Sequence, residues 1–193
     1  MYAFISGKLA EITPTYVIVD NQGVGYFINI TVNTYSQIKN LKEAKLFTHL
    51  VVREDAHILY GFAKENERLL FLMLITVSGV GANTARLILS SLTTEEAFQA
   101  ITTGNASVLQ SVKGIGAKTA QRIVIDLKDK LMKQDIQLEK IASNHNTLMD
   151  EALSGLLILG FNKAIAEKAM RKVLKQTGVD SVEELIKEAL KIL

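Results

Sequence analysis

One nine-residue pattern occurs twice in this chain. Val77-Ser78-Gly79-Val80-Gly81-Ala82-Asn83-Thr84-Ala85 is matched by Val112-Lys113-Gly114-Ile115-Gly116-Ala117-Lys118-Thr119-Ala120, with Gly79 and Gly114 35 residues apart. Both copies read apolar-x-Gly-apolar-Gly-x-x-Thr-Ala, and each opens an amphipathic helical stretch. The glycines allow a sharp turn or the close approach of another molecule to the backbone. A single copy is an ordinary joint between packed helices. Two copies at matched positions point instead to a pair of helix N-termini whose N–H groups donate to phosphate, able to hold both strands of a duplex across one groove. Such contacts position a nucleic-acid backbone and read no sequence.

The two copies differ in charge. Lys113, Lys118 and Arg122 flank the second turn, whereas the first has Asn83 in place of Lys118 and only Arg86 nearby. Unequal electrostatic contributions are therefore expected, with Gly79, Gly81, Asn83 and Arg86 forming one site and Lys113, Gly114, Gly116, Lys118, Thr119 and Arg122 the other. The formal net charge of the chain is only +2, so a polyanion must be met by such local patches.

Around this pair the periodicity changes twice. Residues 2–62 alternate β-branched or aromatic runs (2–5, 16–19, 26–30, 47–52 and 58–60) with turn signals, including Asp20-Asn21-Gln22-Gly23, and one short helical stretch near 34–41. Five short strands with one helix predict a small OB-type β-barrel. From Lys64 the apolar spacing is helical: 65–77, then from Thr84 through Leu92, a helix to about Thr102 behind the capping box Thr93-Thr94-Glu95-Glu96, a short helix at 106–111, and one from Thr119 through Leu131. Beyond Gln134 the pattern fades. Three compact helical patterns follow, at 148–159, 164–175 and from the capping box Ser181-Val182-Glu183-Glu184 onward.

The expected fold is thus mixed β and α and multidomain. Residues 1–63 form an OB-type barrel, 64–133 a tandem helix-hairpin-helix domain, 134–146 a flexible linker and 147–193 a three-helix domain. A three-helix core of that size is marginal and leaves apolar side chains near the surface, which suits docking.

Several chemistries find no support. A Walker A loop needs glycine before its lysine, but Ala117 precedes Lys118; Thr84 and Thr119 stand where a dinucleotide-binding loop needs its third glycine. His49, His57 and His145 are scattered without metal-ligand spacing, and His49 in a strand reads as structural. Neither a cofactor nor a metal is expected. With no cysteine there is no disulfide framework, and no apolar run approaches the ~20 residues of a membrane span, so no membrane partner and a cytoplasmic location are expected. A repair nuclease or glycosylase built on the same hairpins, with Asp126 or Asp129 as catalytic acid, and a scaffold that binds only proteins remain alternatives. Asp126 and Asp129 read more simply as solvated partners of neighbouring lysines.

The order of parts, together with Val52-Arg53-Glu54-Asp55-Ala56-His57-Ile58-Leu59-Tyr60-Gly61-Phe62, resembles the RuvA family of Holliday-junction-binding subunits. The resemblance covers essentially the whole chain. It implies a homotetramer with one subunit per junction arm, becoming an octamer when a second tetramer closes over the other face. Glu54 and Asp55, otherwise an ordinary acidic turn, match the family's acidic pin at the junction centre. Lys118 and Arg122 match its phosphate-contacting side chains, and Ala82-Asn83 departs from a common Pro-Lys. The resemblance also implies that the protein is not an enzyme and that its partners are Holliday junction DNA, a RuvB-type hexameric ATPase and a RuvC-type junction resolvase. Leu156, Leu159 and Phe161 would face the motor.

Overall fold

The computed structural model describes residues 2–143, 148–176, 179 and 181–193. It divides into two compact units, Met1–Lys133 and Gln134–Leu193.

Five strands form the first half of the larger unit: β1 (Phe4–Ile12), β2 (Tyr16–Asn21), β3 (Val24–Ile30), β4 (Glu43–Val52) and β5 (His57–Phe62), with α1 (Val32–Ile38) between β3 and β4. They close in the order β1-β2-β3-β5-β4, every pairing antiparallel except β3 with β5. This is the expected OB-like barrel. Two strands are much longer than their apolar runs suggest: β4 starts four residues earlier, at Glu43, and β1 continues to Ile12. The first half of β1 pairs with β4 (Phe4↔Phe47) and its second with β2 (Ile12↔Val17), and a bulge between Leu9 and Glu11 breaks the alternation that would have revealed it. Gly7 permits the bend, since a Cβ there would lie 2.2 Å from the Asp20 carbonyl oxygen. The β2–β3 turn forms as expected: Gln22 and Gly23 have φ of 52° and 91°, and Asp20 Oδ1 accepts from the Gly23 N–H at 2.8 Å.

Helices α2 (Glu65–Leu74), α3 (Ala82–Ser91), α4 (Thr94–Thr102), α5 (Ala106–Gln110) and α6 (Ala117–Ser143) follow. The capping box at Thr93 and Glu96 is present in both directions. A reversal built on Gly104 (φ 80°) ends α4, with Asn105 N–H donating to the Ala100 carbonyl at 2.8 Å. Helix α6 continues well past Leu131, through most of the segment expected as a linker. His145 and the rest of 144–147 lie outside the described residues.

Barrel and hairpins share buried surface. Tyr60 and Phe62 of β5 belong to the same core as Leu70, Phe71 and Leu74 of α2, and their rings lie 5.2 and 4.9 Å from that of Phe71. The same helix buries a carboxylate. Glu67 is 1% exposed and accepts hydrogen bonds from the hydroxyls of Thr31, which caps α1, and Thr34. Asn33 of α1 donates to the Leu89 and Leu92 carbonyls at the end of α3, at 2.6 and 2.8 Å. His49 packs its ring on Phe71, and burial, aided by Arg68, lowers its pKa, as befits a structural imidazole.

The smaller unit contains α7 (Leu148–Ile158), α8 (Lys163–Gln176) and α9 (Val182–Leu190) around Ala152, Leu156, Ala166, Met170, Val173, Leu185 and Ala189. Gly155 allows α7 to approach α9, since a Cβ there would meet Ile186 Cδ1 at 2.9 Å. Gly160 (φ 94°) ends α7, and Phe161 N–H donates back to the Leu156 carbonyl at 3.1 Å.

Burial raises the pKa of Glu67 above its ordinary 4.5, with the two threonine hydrogen bonds opposing the rise. The folded chain therefore holds this proton more tightly than the unfolded chain. That contribution to stability is complete below pH 4.5 and is lost as pH rises through the folded value. Thermal melts of wild type and Glu67→Gln across this range should show the wild type gaining on the variant as pH falls. Parallel profiles would contradict the assignment.

Candidate nucleic-acid interface

The first turn joins α2 to α3 and the second joins α5 to α6. In each, two apolar residues are buried on either side of a left-handed glycine: Val77 and Val80 flank Gly79 (φ 89°), and Val112 and Ile115 flank Gly114 (φ 89°). The turns close by the same hydrogen bond, Val80 N–H to Val77 O at 2.9 Å and Ile115 N–H to Val112 O at 3.0 Å. Burying the valines and isoleucine forces the glycine backbone outward. Gly79 and Gly114 are required by their φ.

Gly81 and Gly116 are explained differently. Gly81 has φ −84° and ψ 171°, open to any residue, and a Cβ at either glycine would meet no atom within 4 Å. Packing does not demand glycine there. Serine or aspartate would cap the helix better, but the side chain would occupy the N–H groups itself. With glycine, α3 begins with no side-chain cap, and its first N–H groups stay available to an outside anion.

The side chains around the turns are divided more subtly than their sequence positions suggest. Lys113 and Lys118 are exposed beside the second turn, and Thr119 is half-buried. Arg122, 44 residues beyond Ser78 in the sequence, reaches across to the first hairpin: its Nη1 donates to the Ser78 carbonyl at 3.3 Å. Its positive charge thus lies between the two turns and offsets the lack of a lysine in the first. Arg86 goes the other way. Its Nη1 donates to the Thr15 carbonyl at 3.1 Å and to Asn29 Oδ1 at 3.2 Å, both on the barrel. Asn83 Oδ1 accepts from the Tyr60 hydroxyl at 3.1 Å. Asn83, Arg86 and the end of α3 therefore lace the first hairpin onto the barrel.

Glu54 and Asp55 form the exposed tip between β4 and β5, closed by Arg53 N–H donating to the Ala56 carbonyl at 2.8 Å. Neither carboxylate has a salt-bridge partner among the described residues, so both negative charges face solvent. Asp126 and Asp129 are likewise exposed, on α6. Among the described residues no group of three His, Asp or Glu side chains could hold a metal, and no helix is long and apolar enough to cross a membrane.

In the smaller unit Leu156 is fully buried, Phe161 is half-buried against the same core, and Leu159 is 59% exposed next to Ile158 at 86%. Exposed apolar surface at the end of α7 comes from Leu157, Ile158 and Leu159, of which Ile158 is the most exposed, and Ile165 adds to the apolar surface of the unit from α8.

Residues 1–61 match the RuvA N-terminal domain, 71–129 a SAM-like helix-hairpin-helix tandem, and 147–193 the RuvA C-terminal domain. Over all 193 residues the chain is 49% identical to the full length of a protein from Christiangramia forsetii named Holliday junction branch migration complex subunit RuvA. The chain belongs to the RuvA family. Other RuvA subunits bearing that name, from Flavobacterium psychrophilum and Cytophaga hutchinsonii, are 48% and 45% identical, again over the whole of both chains.

Replacing Gly116 by alanine separates fold from binding. The weaker cap and the stiffer unfolded chain have opposed effects of about 1 kcal/mol or less, so thermal stability should change little. Affinity for duplex DNA should fall about tenfold or more, because the alanine Cβ projects into the open space over the turn and holds a phosphate off the N–H groups, weakening a charge-assisted hydrogen bond of roughly 1.5–3 kcal/mol. Melting curves and a DNA titration of the same preparation check both; undiminished affinity would remove Gly116 from the interface.

Proposed function

We propose that this chain is the non-catalytic, junction-binding subunit of a branch-migration complex. It recognises four-way Holliday junctions in recombination and repair, and it recruits and orients a RuvB-type hexameric ATPase that supplies the work. The observation that carries the reading is the pair of side-chain-free helix entries at Gly81 and Gly116, bridged by Arg122, on a chain whose full-length relatives are named for this complex.

Each glycine turn grips one strand of a duplex arm through backbone N–H groups at Gly79, Gly81, Gly114 and Gly116. Lys113, Lys118 and Arg122 add mobile charge, and Asn83, Arg86 and Thr119 line the approach. Four subunits, one per arm, place four copies of Glu54 and Asp55 around the crossover. Their negative charges repel phosphates there and discourage the strands from settling into a stacked, unproductive form. A second tetramer over the opposite face gives an octamer. A RuvC-type resolvase, which acts on the same DNA, is a further partner, and the location is cytoplasmic.

Ile158 and Leu159, steadied by Phe161 and by Leu156 in the core beneath, are the surface through which the smaller unit meets the motor. Division into barrel (1–63), hairpin domain (64–133), connecting segment (134–146) and docking domain (147–193) gives the motor contact a tether, which raises its effective concentration without holding the motor rigidly to the DNA.

Binding of a synthetic four-way junction and of linear duplex of equal length, at the same moderate salt, tests the reading. The junction should bind about tenfold or more tightly. Equal affinities would overturn it. Changing Glu54 and Asp55 together to Gln and Asn should alter branch-migration rate and junction geometry while leaving junction affinity within about threefold, because exposed charges contribute little.

A further inference from the structure

Between the acidic turn and the first glycine turn the larger unit has an open groove of about 440 Å³, large enough for a single nucleotide. Phe27, Asn29, His57, Tyr60, Asn83 and Arg86 contribute to its wall. The polar groups there are fixed by one another. Arg86 Nη1 is held by Asn29 Oδ1 and the Thr15 carbonyl, the Asn29 amide donates to the Leu59 carbonyl at 3.3 Å, and Asn83 Oδ1 accepts from Tyr60. The remaining guanidinium N–H groups of Arg86 and the amide NH2 of Asn83 donate to no protein acceptor among the described residues. Their chemistry suits a phosphate or the polar edge of a base.

The aromatic component is Phe27. Its ring lies on that of Tyr16 with centroids 4.6 Å apart and planes 24° apart, yet Phe27 remains 53% exposed. An aromatic side chain that outer-strand packing leaves half uncovered, at the end of a two-ring stack, offers a surface on which a third ring can continue the stack. Donors with one exposed aromatic are the combination that holds a nucleotide taken out of a duplex.

We propose that this groove holds one unpaired nucleotide of a strand passing between arms at the crossover, its base against Phe27 and its phosphate toward Arg86 and Asn83. The proposal rests on the junction-binding reading above. Position supports it: His57 follows the acidic turn directly, and Asn83 is the second residue of α3 behind the first glycine turn, so the groove lies between the two features that would meet the strand. Strand exchange must unpair and unstack bases at the crossover, and a stacking surface there lowers the cost of that intermediate.

The test uses the full-length protein with two four-way junctions, one fully paired and one carrying a single unpaired thymidine in each strand at the crossover, and with linear duplex. Wild type should bind the unpaired junction about tenfold more tightly than the paired one, the effect of one base–aromatic stack. Phe27→Ala should abolish that difference while leaving its affinity for linear duplex unchanged and lowering its melting temperature by no more than a few degrees, as loss of one half-exposed ring stack would. In a parallel measurement, 5-iodouracil placed at the unpaired position should photocrosslink to the peptide containing Phe27. Loss of any preference for the paired junction over duplex would instead reject the junction-binding reading. An intact preference of both junctions over duplex, with no gain from the unpaired thymidine or with the gain retained in Phe27→Ala, would overturn the groove proposal alone, as would crosslinks confined to α6.

Discussion

The packing of Tyr60 and Phe62 on Phe71 is the contact on which the rest of the larger unit depends. It joins the last barrel strand to the first hairpin helix, so that β5 becomes a strut: the acidic turn projects from its start, and its end is buried in the hairpin core. Glu67, gripped by Thr31 and Thr34, and Asn33, bound to the end of α3, reinforce the join from the side of α1. Rings in contact bury large area in a defined geometry, whereas a buried carboxylate is tolerated only where its hydrogen bonds are made, so together they restrict the join to one arrangement. The consequence for function is geometric. If, as proposed, one turn repels phosphates and the other binds them, the two are useful together only if the distance between them is fixed.

Within that frame the two glycine hairpins are alike in backbone and unlike in side chains. Their turns share the same buried apolar pair, the same left-handed glycine and the same closing hydrogen bond, so each offers the same amide donors. Charge is shared rather than duplicated: Arg122 belongs to the second hairpin in sequence and touches the first in space. Arg86, next to the first hairpin in sequence, secures that hairpin to the barrel. In the proposed role a duplex would meet a matched pattern of N–H groups under a positive field that Arg122 extends from one hairpin toward the other.

Much of this was legible in the chain. The strands alternate, the helices carry apolar residues at helical spacing, and the glycine turns and the Thr93 capping box are local signals that need no tertiary information. The full length of β1 was hidden because a bulge and the change of pairing partner interrupt its alternation. The extension of α6 to Ser143 was hidden because Gln134-Asp135 and the polar segment at 142–146 interrupt the apolar spacing, although Leu138 and Ile141 resume it seven and ten positions beyond Leu131. Glu67 did have a signal: Leu70, Phe71 and Leu74 follow it at three, four and seven positions, which places it on the buried face of α2. Its partners, like those of Arg86 and Arg122, are distant in sequence, and no local pattern identifies them. For the same reason the resemblance grouped Leu156 with Leu159 as contacts for a partner, whereas Leu156 is buried in the core and the end of α7 exposes Leu157, Ile158 and Leu159.

In the proposed role the chain would be one quarter of a symmetric device, in which a single acidic turn has little effect and four together define a crossover. Native mass measurement of the protein bound to a four-way junction tests this most directly. The prediction is four chains per junction, or eight when both faces are covered, with no corresponding discrete assembly on linear duplex. One or two chains per junction, or the same loading per length on both DNAs, would contradict it.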